Sequence, residues 1–255
     1  MSYLTAALIV LICAAGAAAA SYIVSRVVSL EARLNHYAVG SQVFLQLGVM
    51  FAVLLAFVFS EVWAEYNTAD QAINGECGAL HGAAMLANAL PNAAGKPVNR
   101  AIVVYAQAVV EKEWPMMAQR RRSPEAAQDF RVAFDLAARL HSSAPADVAI
   151  QGQMLSLLSQ AHGYRETRTF QVSRSLPTAM WAVLSVLSLF LIGFVLFAGI
   201  EGPGHMLFAS AFTGCTVMVL VLVRLLDFPF EGALTLSSGD FVKVLGEVSS
   251  MVAGG

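Results

Sequence analysis

Four long apolar runs alternate with polar sequence along the chain. They cover residues 4–24, 43–63, 180–200 and 206–226, and each is 21 residues long. An α-helix rises about 1.5 Å per residue, so each run spans about 30 Å, the thickness of the hydrocarbon core of a bilayer. The pattern predicts an all-α, polytopic membrane protein with four transmembrane helices.

Polar sequence between the second and third runs is predicted to form a helical extramembrane domain. Its apolar side chains recur three and four residues apart, as in Phe130, Phe134 and Ala137. The second run continues into it without a helix breaker before Pro91. We expect two long helices rising from the membrane, with two shorter helices packed against them. The predicted divisions of the chain are residues 1–63, 64–177, 178–226 and 227–255.

The composition supports a lipid environment and argues against several functions. Hydrophobic residues make up 58% of the chain and charged residues 13%, whereas soluble domains carry about 25% charged residues. A net charge of −2 gives no reason to expect a nucleic-acid partner. The sequence has no P-loop, dinucleotide-binding fingerprint, GxSxG or HExxH motif. We therefore expect neither an enzyme nor a cofactor.

A metal site also has little support. Cys77 and His81 are four residues apart on one predicted helix face, next to Glu76. No second pair of histidine or cysteine residues occurs at ligand spacing. We expect no bound metal.

The first apolar run has two interpretations. Its alanine-rich end mimics a signal peptide cleaved near Ala20, but no lysine or arginine precedes the run. We favour a retained transmembrane helix.

The positive-inside rule gives conflicting indications of sidedness. Arg26, Arg33 and His36 in the loop after the first helix place that loop in the cytoplasm and the insert outside. Arg165 and Arg168, which precede the third helix, favour the opposite orientation. Because long domains follow the rule poorly, we lean towards an extracytoplasmic insert.

Charged residues near the ends of the apolar runs are candidates for an ion path. A carboxylate at the bilayer centre costs roughly 2.5–3.5 kcal/mol on insertion scales, so such residues mark functional sites by default. Glu61 falls in the last turn of the second run, with Glu65 one turn further on. Either an interfacial cap beside Trp63 or a carboxylate at a pore mouth fits this position, and we favour the cap.

The basic residues before the third helix also have two interpretations. They line an anion path, or they pair with acidic residues of the facing helix, and we favour pairing. The set assigned to an ion path or charge network comprises Glu61, Glu65, Glu76, His162, Arg165, Arg168 and Arg224.

The end of the fourth helix has an unusual sequence. Pro229 lacks an N–H group and disfavours helix at the preceding residue, so the helix is expected to end near Asp227. Arg224 lies three residues before Asp227, a spacing that allows an ion pair. We expect this motif to end the helix and dock the tail onto the insert. Its residues are Leu226, Asp227, Pro229, Phe230 and Gly232.

A second unusual segment contains Glu113, Trp114 and Pro115. Pro115 removes the hydrogen bond to the carbonyl of Glu111, so a kink or helix end is expected there. Trp114 and the two methionines that follow Pro115 suit a packed corner or a subunit contact.

Three segments together resemble a known family. VVYAQAVVEKEWPMM, SLPTAMWAVL and LLDFPFEGALTLSSGDF are similar to the bestrophin-like domain family of bacterial membrane proteins, a family of unknown function. The resemblance extends over nearly the whole chain and implies a multi-pass protein of the bacterial inner membrane. The remote kinship of this family with bestrophins implies a homo-oligomeric anion channel, with the lipid bilayer and inorganic anions as partners.

Two functions remain open. Small residues in the first helix, CAAGAAAAS, allow close helix packing within or between channel subunits. The membrane helices are polar mainly at their ends, however, which favours a non-conducting scaffold or sensor unless the gate is hydrophobic. In that alternative, the helical insert binds a partner.

Overall fold

The structure is a computed structural model that describes residues 1–35, 37–141, 144–198 and 202–253. His36, one of the residues used to predict sidedness, lies outside these ranges, as does the predicted end of the third run. All regular secondary structure in the described ranges is helical, which confirms the all-α prediction. The α-helices are α1 (Tyr3–Val27), α2 (Leu30–Asn35), α3 (Tyr37–Ala89), α4 (Lys96–Ala108), α5 (Trp114–Met117), α6 (Pro124–Ala138), α7 (Pro145–Gln171), α8 (Thr178–Phe197), α9 (Pro203–Leu226) and α10 (Gly239–Ala253).

The chain divides into two compact units. The first contains Met1–Ala64 and Ser175–Asp227, and the second contains Glu65–Arg174 and the residues from Phe228 onward. The division falls inside α3, which runs without interruption for 53 residues.

The first unit contains four apolar helices long enough to cross a membrane: α1, α3, α8 and α9. This confirms the four predicted apolar helices. α1 packs along α9, and small residues such as Ala17 and Ala209 are buried there. Phe44 and Phe194 stack with their ring centroids 4.9 Å apart. Many of the large apolar side chains of these helices are exposed, so they form surfaces suited to lipid or to further subunits.

The second unit has a hydrophobic core formed by the C-terminal part of α3 with α4, α6, α7 and α10. Leu80, Ile102, Met154, Leu158 and Phe241 are fully or almost fully buried in this core. The helices form because apolar side chains recur along one face of each, as the sequence predicted.

The expected break at Pro115 takes the form of a π-turn, Val109–Glu113, and the helical path continues to Met117. The Trp114 N–H donates to the carbonyl of Val109, five residues back. Because the π-turn has already changed the hydrogen-bond register, Pro115 fits at the start of the next helix, where its missing N–H is tolerated.

The C-terminal residues, for which the sequence predicted only a tail, contain α10. Phe241, Val244 and Val248 form one buried face of this helix, and they pack into the core of the second unit. The apolar side chains of this helix follow the same 3/4 spacing as those of the other helices, and this spacing is the signal that predicts it.

Candidate functional site

Four charged side chains lie together in the core of the second unit. Glu76 is on α3, Glu113 is the last residue of the π-turn, and Arg165 and Arg168 are on α7. Arg168 Nε donates to Glu76 Oε2 at 2.8 Å, and its Nη2 donates to Glu113 Oε1 at 2.8 Å. Arg165 Nη2 donates to Glu113 Oε2 at 2.6 Å. We call these four residues the buried charge network.

The buried charge network is electrically balanced and excluded from solvent. Glu76, Glu113 and Arg168 have no exposed surface, and Arg165 is 5% exposed. Burial by itself lowers the pKa of Arg168, but the neighbouring Glu76, Tyr105 and Glu113 outweigh it and raise the pKa above its ordinary value. The guanidinium therefore remains charged and forms hydrogen bonds with both carboxylates.

Tyr105 is a fifth member that the sequence analysis missed. Its hydroxyl donates a hydrogen bond to Glu76 Oε1. Burial, reinforced by the charge of Glu76, raises the pKa of Tyr105 well above its ordinary value, so the hydroxyl keeps its proton. Tyr105 lies on the buried face of α4, three residues after Ile102, and this spacing is the signal that could have found it.

Local helical geometry explains how the network assembles. Arg165 and Arg168 are three residues apart, so they lie on one face of α7. Glu113 is buried at the end of the π-turn, where the extra residue changes the face that the following side chains occupy. The sequence analysis had assigned Glu113 only to a structural corner.

Aromatic side chains cover one side of Arg168. Its guanidinium carbon lies 5.5 Å from the Trp114 ring centroid and 5.2 Å from that of Phe241. Trp114 Nε1 donates to the Leu236 carbonyl at 3.2 Å, and its ring meets Phe230 edge-on at 5.8 Å. Trp114 of the predicted corner and Phe241 of the C-terminal segment thus pack against the network within the second unit.

The fourth apolar helix ends as the sequence predicted. α9 ends at Leu226, Asp227 is its C-cap, and Gly232 adopts a φ of +89°, which favours glycine. Asp227 is 3% exposed, and its Oδ1 accepts a hydrogen bond from the Leu176 N–H at 2.8 Å. The carboxylate therefore ties the approach to α8 to the end of α9. An ion pair between Arg224 and Asp227 stays a prediction.

Comparison with known families identifies the chain. The family model of the Bestrophin-like domain matches residues 11–241. The chain belongs to the bestrophin-like domain family. This confirms the resemblance inferred from the sequence motifs. None of the curated proteins matches the chain.

Solved bestrophin homologues share the fold of this bestrophin-like protein. A variant of the bacterial bestrophin homologue from Klebsiella pneumoniae, with the mutation Y211A, aligns with a TM-score of 0.75 at 14% identity, over 96% of this chain and 99% of that chain. Another structure of the Klebsiella homologue gives a TM-score of 0.72 at 15% identity, over 95% and 98% of the two chains. A structure described as a membrane protein with the mutation G264A gives 0.75 at 14% identity, over 95% and 98%.

The remaining predicted residues of the bestrophin-like chain lie outside the buried charge network. Glu65 Oε1 accepts from Arg174 Nε at 2.9 Å, and His162 is exposed with its ring 5.6 Å from that of Phe130. Glu61 is exposed. It lies within the length of α3 and not in a last turn, because this helix continues past the predicted end of the second run. Arg224 is half-buried in the last turn of α9.

The described residues of this bestrophin-like protein contain no group of three or more histidine, cysteine, aspartate or glutamate side chains arranged to hold a metal ion. His81 Nδ1 lies 2.9 Å from Glu247 Oε2, a distance typical of an ion pair. The two atoms do not have hydrogen-bond geometry.

Proposed function

We propose that this protein is a subunit of a homo-oligomeric anion channel in a bacterial cytoplasmic membrane. The main support is the match to the bestrophin-like domain over residues 11–241. The exposed apolar faces of the membrane helices give further support, because they provide surfaces for both lipid and neighbouring subunits.

In this proposal residues 64–177 form an extramembrane insert between the second and third membrane helices, on the extracytoplasmic side. The length of α3 supports an insert outside the bilayer. Its 53 residues extend for about 80 Å, more than twice the thickness of the hydrocarbon core. The C-terminal part of α3 therefore has to lie outside that core.

We assign the buried charge network a structural role and place the ion path elsewhere. Glu76, Arg165 and Arg168 are paired and buried, so they offer no free charge to a passing ion. Glu61 is an exposed carboxylate on α3, one of the apolar helices. We place Glu61 at the mouth of the path rather than in an interfacial cap, because it is exposed along α3 and does not lie at a helix end. Its negative charge there lowers the local concentration of anions and limits their flux, so removing the charge should increase anion flux.

Anion flux into liposomes tests this function. Purified protein is reconstituted, and chloride or iodide entry is followed with an entrapped quenchable dye. Glu61→Gln is expected to change the flux or its anion selectivity. Glu111→Gln is the matched control, because Glu111 is an exposed glutamate in the second unit whose side chain bonds to Gln107. Equal changes in both variants would contradict the assignment of Glu61.

A non-conducting scaffold or sensor is the second candidate. The observation that favours it is the mutual pairing of the buried charges, which removes polar groups otherwise available to a conduction path. In this case the helical insert binds a partner. Absence of flux from protein shown to be folded and oligomeric, at several membrane potentials, would reject the channel and favour the scaffold.

A further inference from the structure

A partly open cavity of about 440 Å³ lies in the first unit, where α1 ends and α9 begins. Ser21, Ser25 and Arg26 line it from the last two turns of α1. Gly202 and His205 line it from the start of α9. The volume falls in the range of small-ligand sites.

Two residues that line this cavity each have a buried polar side-chain atom without a partner in the described part of the chain. Ser21 is 1% exposed and His205 is 4% exposed. Neither Ser21 Oγ nor His205 Nε2 has a hydrogen-bond partner among the described residues. Buried polar atoms are nearly always satisfied by protein, water or ligand, so this pair points to a bound polar group.

The electrostatic character of the cavity favours an anion. Arg26 supplies a guanidinium, whose Cζ lies 5.2 Å from the centroid of the Tyr22 ring. α9 is 24 residues long, and the positive end of its dipole faces the cavity. Its N-cap, Gly202, adopts a φ of +106°. Glycine has no side chain that could accept hydrogen bonds from the free N–H groups of the first turn. No acidic residue lines the cavity among the described residues.

We propose that this cavity binds a phosphate group, supplied by the headgroup of a membrane phospholipid. The fork of Arg26 matches two oxygens of a phosphate. Ser21 and His205 also line the cavity, and each has a polar atom, unpartnered within the described ranges, that can bind a phosphate oxygen after a change of side-chain rotamer. The cavity lies at the ends of two apolar helices, which is the depth at which headgroups contact a membrane protein. This inference goes beyond the proposed channel function and does not depend on conduction.

The test compares two lipids with the same acyl chains. Delipidated full-length protein in detergent is titrated with dioleoylphosphatidylglycerol or with dioleoylglycerol, which lacks the phosphate. Native mass spectrometry reports the bound lipid, and thermal unfolding reports stabilisation. We expect the phospholipid to bind and stabilise the wild type and dioleoylglycerol to have little effect. Arg26→Gln is expected to weaken binding by about tenfold or more, since it removes a bidentate, charge-assisted contact.

Two further variants make the test specific. Arg131→Gln removes an equal charge from the exposed surface of α6 and is expected to bind phospholipid as the wild type does. Ser21→Ala keeps the charge and suits a helix interior, so it tests the site even if Arg26→Gln fails to fold. We expect Ser21→Ala to weaken phospholipid binding by a smaller factor than Arg26→Gln.

A titration with inorganic phosphate distinguishes the source of the group. Stabilisation by millimolar phosphate that is lost in Arg26→Gln, without a response to phospholipid, would keep the phosphate site and assign it to a soluble anion. Equal binding of dioleoylglycerol and phospholipid would overturn the proposal. Wild-type phospholipid affinity in both Arg26→Gln and Ser21→Ala would overturn it as well.

Discussion

A set of buried charged residues in the second unit and a pair of buried polar residues in the first unit differ in their partners. In the second unit, Glu76, Glu113 and Arg168 have no exposed surface, and each has an oppositely charged partner within 2.8 Å. In the first unit, Ser21 and His205 are buried with a side-chain atom that has no partner among the described residues. The charges of the network in the second unit pair with one another, although Arg165 Nε and Asn99 Oδ1 of that unit also lack a hydrogen-bond partner within the part of the chain that the structure describes. Ser21 and His205 in the first unit differ in that they line a cavity.

This difference separates two roles for buried polar residues. Burying a charge removes its hydration, so a charge pair is retained only if hydrogen bonds and Coulomb attraction replace that hydration. A set of mutually paired charges favours one arrangement of the helices that carry it. Buried polar atoms without a partner that line a cavity suggest that their hydrogen-bond partner is a ligand or water from outside the chain. Substitutions in the paired set are therefore expected to lower stability most where they leave a buried charge without its partner.

The substitution Arg168→Met is expected to cause the largest loss of stability. It leaves Glu76 without its ion-pair partner and Glu113 with Arg165 alone, in a region with no exposed surface. Breaking a buried pair costs about 3–5 kcal/mol, because the remaining charge is uncompensated. Chemical denaturation of the protein in detergent, followed by tryptophan fluorescence, measures the change in unfolding free energy.

Two comparisons sharpen this prediction. Arg131→Met, on the exposed face of α6, is expected to change the unfolding free energy by no more than about 0.5 kcal/mol. Combining Arg168→Met with Glu76→Gln is expected to cost less than the sum of the single changes, because the second substitution removes the unpaired charge. Additive losses would show that the two residues are not coupled.

Asp227→Ala is expected to have the next largest effect. It removes the carboxylate oxygen that accepts the Leu176 N–H at 2.8 Å, at a position only 3% exposed. A buried donor left without a partner costs about 1–3 kcal/mol. The loss is measured as lower thermal stability, together with a smaller oligomer on gel filtration. Asp227→Asn keeps an oxygen acceptor at the same place, so a loss as large as that of Asp227→Ala would contradict this explanation.

Tyr105→Phe is expected to reduce stability by about 1–2 kcal/mol and to alter its pH dependence. The pKa of Tyr105 is raised in the folded state, chiefly by burial and secondarily by the charge of Glu76. Above pH 10 the unfolded tyrosine loses its proton while the folded one keeps it, so stability falls as the pH rises. Below pH 10 both states are protonated and this group contributes no pH dependence.

Stability curves between about pH 9 and pH 11 measure this effect. The fall in unfolding free energy in this interval should be shallower in Tyr105→Phe than in the wild type. Replacing the exposed Tyr3 by Phe provides a control, and it should leave the wild-type slope unchanged. An identical slope in Tyr105→Phe would contradict the raised pKa of the buried hydroxyl.

The sequence predicted the parts of the fold that depend on local pattern. Hydropathy alone identified the four apolar helices, and Pro229 located the end of α9. The helices and the end of α9 are encoded within one or two helical turns, so a pattern search finds them. The sequence also favoured pairing of the basic residues with acidic residues of the facing helix, but it did not single out Glu76, 92 residues from Arg168, as the partner.

The features that the sequence did not predict depend on a change of helix register or on contacts between distant chain segments. The π-turn adds a residue before Trp114, so a strict α-helical pattern did not place Tyr105 and Glu113 on one buried face. The cavity between Ser21 and His205 joins residues that are far apart in sequence, and neither has a local signal of its own. Only the packing of α1 against α9 brings them together.

The smallest effect is expected for Arg120→Gln, which breaks a solvent-accessible ion pair of the second unit. Arg120 Nη2 lies 2.9 Å from Glu231 Oε2, and the two side chains are 46% and 33% exposed. The Arg120 guanidinium also lies 3.7 Å from the centroid of the Phe228 ring. Exposed pairs and cation–π contacts contribute about 0.2–1 kcal/mol, so the loss should stay within that range.

The dependence of stability on salt concentration distinguishes this exposed pair from the buried charge network. At about 1 M salt the screening length falls to about 3 Å, so the electrostatic part of the Arg120 contribution should largely disappear. The loss caused by Arg168→Met should persist at the same salt concentration, because ions do not enter a core in which Arg168, Glu76 and Glu113 have no exposed surface. Equal salt sensitivity of the two losses would mean that the network is open to solvent, and the contrast between the two units would no longer hold.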